Sequence, residues 1–108
     1  MTRVGVSGAA GRMGRLVAEA VAAAADLELV AAYDPAGVGE SAGGLAIGAD
    51  PGALTAAEVP VEVTVPSVVL GNLERWRAMG LHAVVGTSGF DAARLAALSP
   101  LPGGRVFF

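Results

Sequence analysis

Apolar residues fall into short alternating or continuous runs separated by longer helical stretches, with Gly or Pro at most of the joints. Residues 3–7, RVGVS, read as a short strand bounded by Gly. Residues 12–25, RMGRLVAEAVAAAA, are rich in helix formers. Leu16, Val17, Ala20, Val21 and Ala24 recur at helical spacing and predict one buried face. Residues 28–33, ELVAAY, predict a second strand that Asp34-Pro35 closes.

Residues 35–59 are rich in Gly, Ala and Pro and show little periodicity. They read as a long mobile loop with one helical turn near Leu54–Glu58. A third strand is expected at 61–65, VEVTV, closed by Pro66. Ser67 is the expected N-cap of a helix that runs to about Met79, with Gly80 as its stop. Trp76 falls on the apolar side of that helix and reads as packing. Residues 81–86, LHAVVG, predict a fourth strand, and the turn TSGF follows. Asp91 is the expected cap of a short helix, AARLAAL, and RVFF begins a fifth strand.

Strands that alternate with helices pair in parallel through right-handed crossovers. The expected fold is therefore α/β: a Rossmann-type open parallel sheet of about five strands, with helices on both faces. Residues 1–108 form one domain in this reading, and an ending on a buried strand at Phe108 reads as a cut in a longer protein, with a small domain that simply ends on a strand as the alternative.

Composition narrows the function. Hydrophobic residues make up 54% of the chain and charged residues 16%, a balance that excludes disorder. The net charge of −3 argues against nucleic acid, which needs clustered Lys and Arg. No window of about twenty apolar residues is free of charge, so no membrane span is expected. With no Cys and a single His, neither a disulfide framework nor a Cys- or His-based metal site is expected. The default location is cytoplasmic. His82 opens the fourth strand at its amino end, away from the ligand edge of such a sheet, and reads as a strand residue.

The chemistry concentrates in VGVSGAAGRMGRLVAEA. Gly8, Gly11 and Gly14 follow a strand and open a helix. In a dinucleotide-binding turn the first Gly allows the sharp bend, the second a close approach of pyrophosphate, and the third tight helix–sheet packing. The helix mouth then offers unpaired N–H groups and a positive dipole end, beside the charge of Arg12. The spacing departs from G-x-G-x-x-G, and a tight turn without a ligand remains open on the motif alone. Asp34 closes the next strand about twenty residues on, where a ribose-binding acid belongs. An Asp-Pro turn is its alternative.

A carboxylate on the ribose accepts from the 2′-OH and repels a 2′-phosphate, which favours NADH. Arg12 and Arg15 leave the same turn and are the candidates to reach such a phosphate. Gly86, Thr87 and Ser88 stand at the carboxyl end of the fourth strand, suited to the nicotinamide end or to an ordinary capped turn.

GAAGRMGR, the Asp34 strand end, VTVPSVVLGNLERWRAMGLHAVVGTSGF and the terminal VFF together resemble the N-terminal half of the 4-hydroxy-tetrahydrodipicolinate reductase (dihydrodipicolinate reductase) family. Where that family carries Asp-Phe-Thr followed by Pro, this chain has Glu62, Val63 and Thr64 ahead of Pro66. The resemblance implies that Gly8, Ala9, Ala10, Gly11, Arg12 and Met13 wrap the pyrophosphate of NAD(P)H. It implies that Asp34 takes the adenosine ribose and that Gly86, Thr87 and Ser88 flank the nicotinamide.

It also implies hydride transfer to 4-hydroxy-tetrahydrodipicolinate, in the diaminopimelate route to lysine. The substrate is held by a second domain that supplies acid catalysis from a His-rich segment with a Lys. This chain then holds no catalytic residue and is expected to be inactive alone. The resemblance further implies a homotetramer whose contacts lie mostly in the second domain, so a monomer is expected here. A non-catalytic nucleotide-sensing module and a different NAD(P)-dependent reductase are the alternatives.

Overall fold

The computed structural model describes residues 1–64, 66–86 and 106–107. Five strands make up its main sheet: β1 Thr2–Ser7, β2 Leu27–Tyr33, β5 Val59–Glu62, β6 Ala83–Val85 and β7 Val106–Phe107. All of them pair in parallel, in the order β2-β1-β5-β6-β7. A two-stranded antiparallel hairpin, β3 Ser41–Ala42 with β4 Leu45–Ala46, stands apart from this sheet. Helix α1 spans Arg12–Ala23 and α2 spans Pro66–Ala78.

The chain adds β2 on one side of β1 and β5 on the other, which makes the gap between β1 and β5 the switch point of the fold. On the far side of β2, Gly48 makes a single parallel bridge to Tyr33. This bridge takes the place that a further strand occupies in the 3-2-1-4-5-6 dinucleotide-binding order.

Alternation along β2 divides the core in two. Ala31 and Tyr33 join the cluster of Val69, Leu73 and Trp76 from α2 and Leu54 from a 3-10 helix. Ala32 joins Val6, Ala18 of α1, Ala42 and Ile47 on the other face. The expected α/β sheet with helices on both faces is therefore the observed one.

Several local expectations need correction. The buried stripe of α1 is Gly14, Ala18 and Val21, while Leu16 is 57% exposed. The cause is Gly14: a Cβ there would stand 2.0 Å from the Gly8 carbonyl oxygen, so contact with the strand end sets the helix rotation. The 35–59 segment is built rather than plain loop, with the hairpin and the 3-10 helix at Pro51–Ala56. That helix starts ahead of the expected turn because Asp50 caps it, accepting from Gly52 N–H at 2.9 Å, and Pro51 suits its first position.

The third strand of the main sheet starts and ends earlier than expected and includes Pro60. Val63 N–H donates to Ser7 on the β1 side, so alternation turns the Pro60 nitrogen toward β6, whose pairing starts only at Val61↔Val84. No ladder bond is lost there. Helix α2 begins at Pro66, which places Ser67 inside its first turn rather than at the cap. Its end is as expected: Leu81 N–H donates to Trp76 and Gly80 N–H to Arg77, with Gly80 at φ +78°. Asp91 and the helix expected after it lie outside the described residues, as does the TSGF turn.

Candidate functional site

Local backbone chemistry builds the glycine turn. Gly8 adopts φ +92°, which a side chain would strain. The bend lets the N–H groups of Gly8 and Ala9 both donate to the Tyr33 carbonyl, at 2.8 and 3.2 Å. Ala10 N–H donates to Asp34 Oδ2 at 3.0 Å, and Gly11 N–H to the Gly8 carbonyl at 3.2 Å. Every amide from Gly8 to Gly11 is thus committed within the turn.

The next three are not. Gly11 is the N-cap of α1, it has no side chain to cap with, and no acidic residue stands in the first turn. The N–H groups of Arg12, Met13 and Gly14 have no acceptor among the described residues. Arg12 and Met13 are exposed at this mouth, and Ala9 is buried in the core below it.

Asp34 is held rather than free. Oδ2 accepts from Ala10 and Oδ1 from Ala36 N–H at 2.9 Å. Each carboxylate oxygen keeps acceptor capacity beyond one such bond. Arg15 is also committed: Nε donates to the Ala10 carbonyl at 3.1 Å, Nη1 to the Ser41 carbonyl at 3.3 Å, and Nη2 pairs with Glu40. It braces the turn against the hairpin and cannot serve a 2′-phosphate without breaking those bonds. Arg12 makes no side-chain hydrogen bond or ion pair among the described residues.

A cleft of about 440 Å³ opens at the carboxyl ends of the strands beside this turn. That volume lies in the range of small-molecule sites. Gly8 and Gly11 form its floor, Tyr33, Asp34, Pro35 and Ala36 one wall, and Val63, Thr64, Val68, Asn72 and Arg75 the other. The floor and Asp34 are legible in the sequence, but the α2 wall is not. Asn72 and Arg75 sit three apart on one helix face, and only the crossover from β5 brings that face to Asp34.

Gly86 is not in the cleft. Strand β5 stands between it and the glycine turn, and a Cβ on either Gly8 or Gly86 would meet Val63, at 2.9 Å from its carbonyl oxygen or 3.0 Å from Cγ1. Thr87 and Ser88 lie outside the described residues. Among the described residues there is no cluster of potential metal ligands, and no helix is long and apolar enough to cross a membrane.

Residues 2–102 match the family described as dihydrodipicolinate reductase, N-terminus. The chain belongs to this family. Two curated relatives named 4-hydroxy-tetrahydrodipicolinate reductase illustrate the kinship. The protein of Alkalilimnicola ehrlichii is 45% identical over 114 residues, an alignment that covers 94% of this chain and 43% of the relative. That of Nocardia farcinica is 48% identical over 93 residues, covering 86% and 34%.

The chain thus spans less than half the length of the dihydrodipicolinate reductases it matches. A dipicolinate-bound dihydrodipicolinate reductase from Paenisporosarcina sp. TG-14 superposes with a TM-score of 0.76 at 22% identity, over 94% of this chain and 43% of that one. The shared fold places the glycine turn of this family member on the strand end where such sheets bind ligands.

Proposed function

We propose that this chain is the cofactor-binding half of a reductase that transfers hydride from NAD(P)H to 4-hydroxy-tetrahydrodipicolinate, in the diaminopimelate route to lysine. One observation carries the proposal. Three free amides and a helix dipole meet at the mouth of α1, next to a cleft whose wall holds a fixed carboxylate. That arrangement suits a diphosphate with a ribose on one side.

In this reading the diphosphate rests on the amides of Arg12, Met13 and Gly14, with the Arg12 guanidinium beside it. Gly8 and Gly11 keep the floor clear, and Ala9 and Ala10 shape the turn through committed bonds rather than through phosphate contacts. Asp34 accepts from the adenosine ribose hydroxyls. Its negative charge and the commitment of Arg15 favour NADH over NADPH. Gly86, with Thr87 and Ser88, flanks the nicotinamide beyond Val63.

Residues 1–108 act as the cofactor unit, and the part of the protein represented in its relatives beyond this alignment holds the substrate. Hydride transfer needs the substrate ring pressed against the nicotinamide face, which one wall alone does not provide. A cytoplasmic enzyme without nucleic-acid or membrane partners fits this role, and the family tetramer is assigned to the substrate-holding part.

Calorimetric titration of the chain with NADH and NADPH tests the reading. Saturable binding of NADH, at least as tight as NADPH and without turnover by the 108-residue chain, is the expected result. Absence of binding to either nucleotide would overturn it.

A further inference from the structure

The wall of the cleft opposite Asp34 carries a cation that the cofactor reading leaves unused. Val68, Asn72 and Arg75 recur at helical spacing along α2, and all three line the cleft. Side chains on a helix lean toward its amino end. Helix α2 starts at the carboxyl edge of the sheet, so Arg75 leans toward the ligand edge. Its guanidinium carbon stands over the Trp76 ring, 5.9 Å from the centroid. Trp76 is fully buried and held in place. Its Nε1 donates to Glu62 Oε1 at 2.7 Å, and its ring meets that of Tyr33 edge to face, with centroids 6.1 Å apart.

An arginine that rests on an aromatic face keeps its N–H groups for other partners. Among the described residues, the Arg75 side chain makes no hydrogen bond and no ion pair. Arg77 also stands in the last turn of α2, where a cation answers the negative end of the helix, but it does not line the cleft. Asp34 does not neutralise Arg75: its oxygens accept from Ala10 and Ala36, and no ion pair crosses the cleft among the described residues. The two walls thus carry opposite charges that stay available to a ligand between them.

We propose that Arg75 is a specificity-determining residue for the cofactor: it receives the 2′-phosphate of NADPH and offsets the repulsion from Asp34, so that the cleft takes both dinucleotides. The inference rests on the cleft being the adenosine site. In that reading the diphosphate occupies the mouth of α1 beside Arg12, and the 2′-phosphate is the one anion of the cofactor still without a partner. Arg15 is spent on Ala10, Ser41 and Glu40. The planar fork of donors on Arg75 suits a phosphate. NADH brings no group for it, because its ribose hydroxyls go to Asp34.

The test is calorimetric titration of the intact chain with NADH and with NADPH, in the wild type, Arg75→Gln and Arg75→Lys. The wild type is expected to bind both. In Arg75→Gln, NADPH affinity should fall about tenfold, the worth of one hydrogen bond to a charged group, while NADH affinity changes less than about twofold. Arg75→Lys keeps the charge and loses the fork, so its NADPH affinity should lie between those of the wild type and Arg75→Gln.

Arg75 is exposed and its side chain holds no hydrogen bond in the fold, so NADH serves as the internal control for structural damage. Equal losses for both dinucleotides would put Arg75 on the base or the diphosphate and overturn the inference. An unchanged NADPH affinity in Arg75→Gln, or a wild type that binds NADH alone, would overturn it too. Failure of the cofactor reading has a different signature: neither dinucleotide binds the wild type.

Discussion

The backbone N–H of Ala10 donates to Asp34 Oδ2 at 3.0 Å, which ties the glycine turn to the end of the neighbouring strand. The acid is thus a structural anchor and a cleft-lining group at once. Asp34→Ala leaves the N–H groups of Ala10 and Ala36 without their acceptor. A stability loss of about 1–2 kcal/mol is expected, measured by urea unfolding. NADH affinity should fall at least about tenfold, while NADPH, freed from repulsion at the 2′-phosphate, should fall less. Parallel titrations check this, and an unchanged NADH-to-NADPH affinity ratio would remove Asp34 from the ribose.

Two glycines on the two helices should respond in opposite senses to the same change. Gly14→Ala drives a methyl group into the Gly8 carbonyl, 2.0 Å away. Neither group is the end of a flexible side chain, so the helix must shift. A loss of about 3 kcal/mol is expected, together with loss of NADH binding. Gly71 is exposed within α2, and a methyl group at its Cα would meet nothing within 4 Å. Gly71→Ala should therefore stabilise by about 0.5–1 kcal/mol. Thermal melts of the pair measure both signs.

Ser7 closes β1 with its hydroxyl buried and without a hydrogen-bond partner among the described residues. An orphaned hydroxyl carries a desolvation cost that a methyl group does not. Ser7→Ala should therefore be neutral or raise stability by up to about 1 kcal/mol, read as an equal or higher melting temperature. A clear fall in melting temperature would show that the hydroxyl has a partner.

What is legible in the sequence follows from the range of the interactions involved. The glycines of the βα turn at Gly8–Gly14 and the C-terminal stop at Gly80 are local signals and can be read as such, although the turn's amides are held by Tyr33 and Asp34 of the next strand. The rotation of α1 cannot, because apolar spacing points to Leu16, whereas one contact between Gly14 and Gly8 decides it. The hairpin at Ser41–Ala46 escapes a reading by period because its strands are two residues each.

The candidate site divides the same way. Its glycine floor and Asp34 lie in one βαβ unit. Asn72 and Arg75 reach the cleft only through the parallel pairing of β5 with β1, a relationship that no local pattern carries. Glu62 stands out in the sequence as a departure from the pattern that the family resemblance implies, yet its burial and bonding need the positions of Trp76 and Asn72 on the next helix.

The central claim is that the unpaired amides of Arg12, Met13 and Gly14 receive a diphosphate. Amide chemical shifts of isotopically labelled protein, followed during titration with NADH, test it most directly. The largest downfield shifts are expected at those three N–H groups, with Gly8, Ala9 and Gly11 changing little because their protons are already bonded within the turn. Saturable NADH binding that leaves the amides of Arg12, Met13 and Gly14 unshifted would contradict the account.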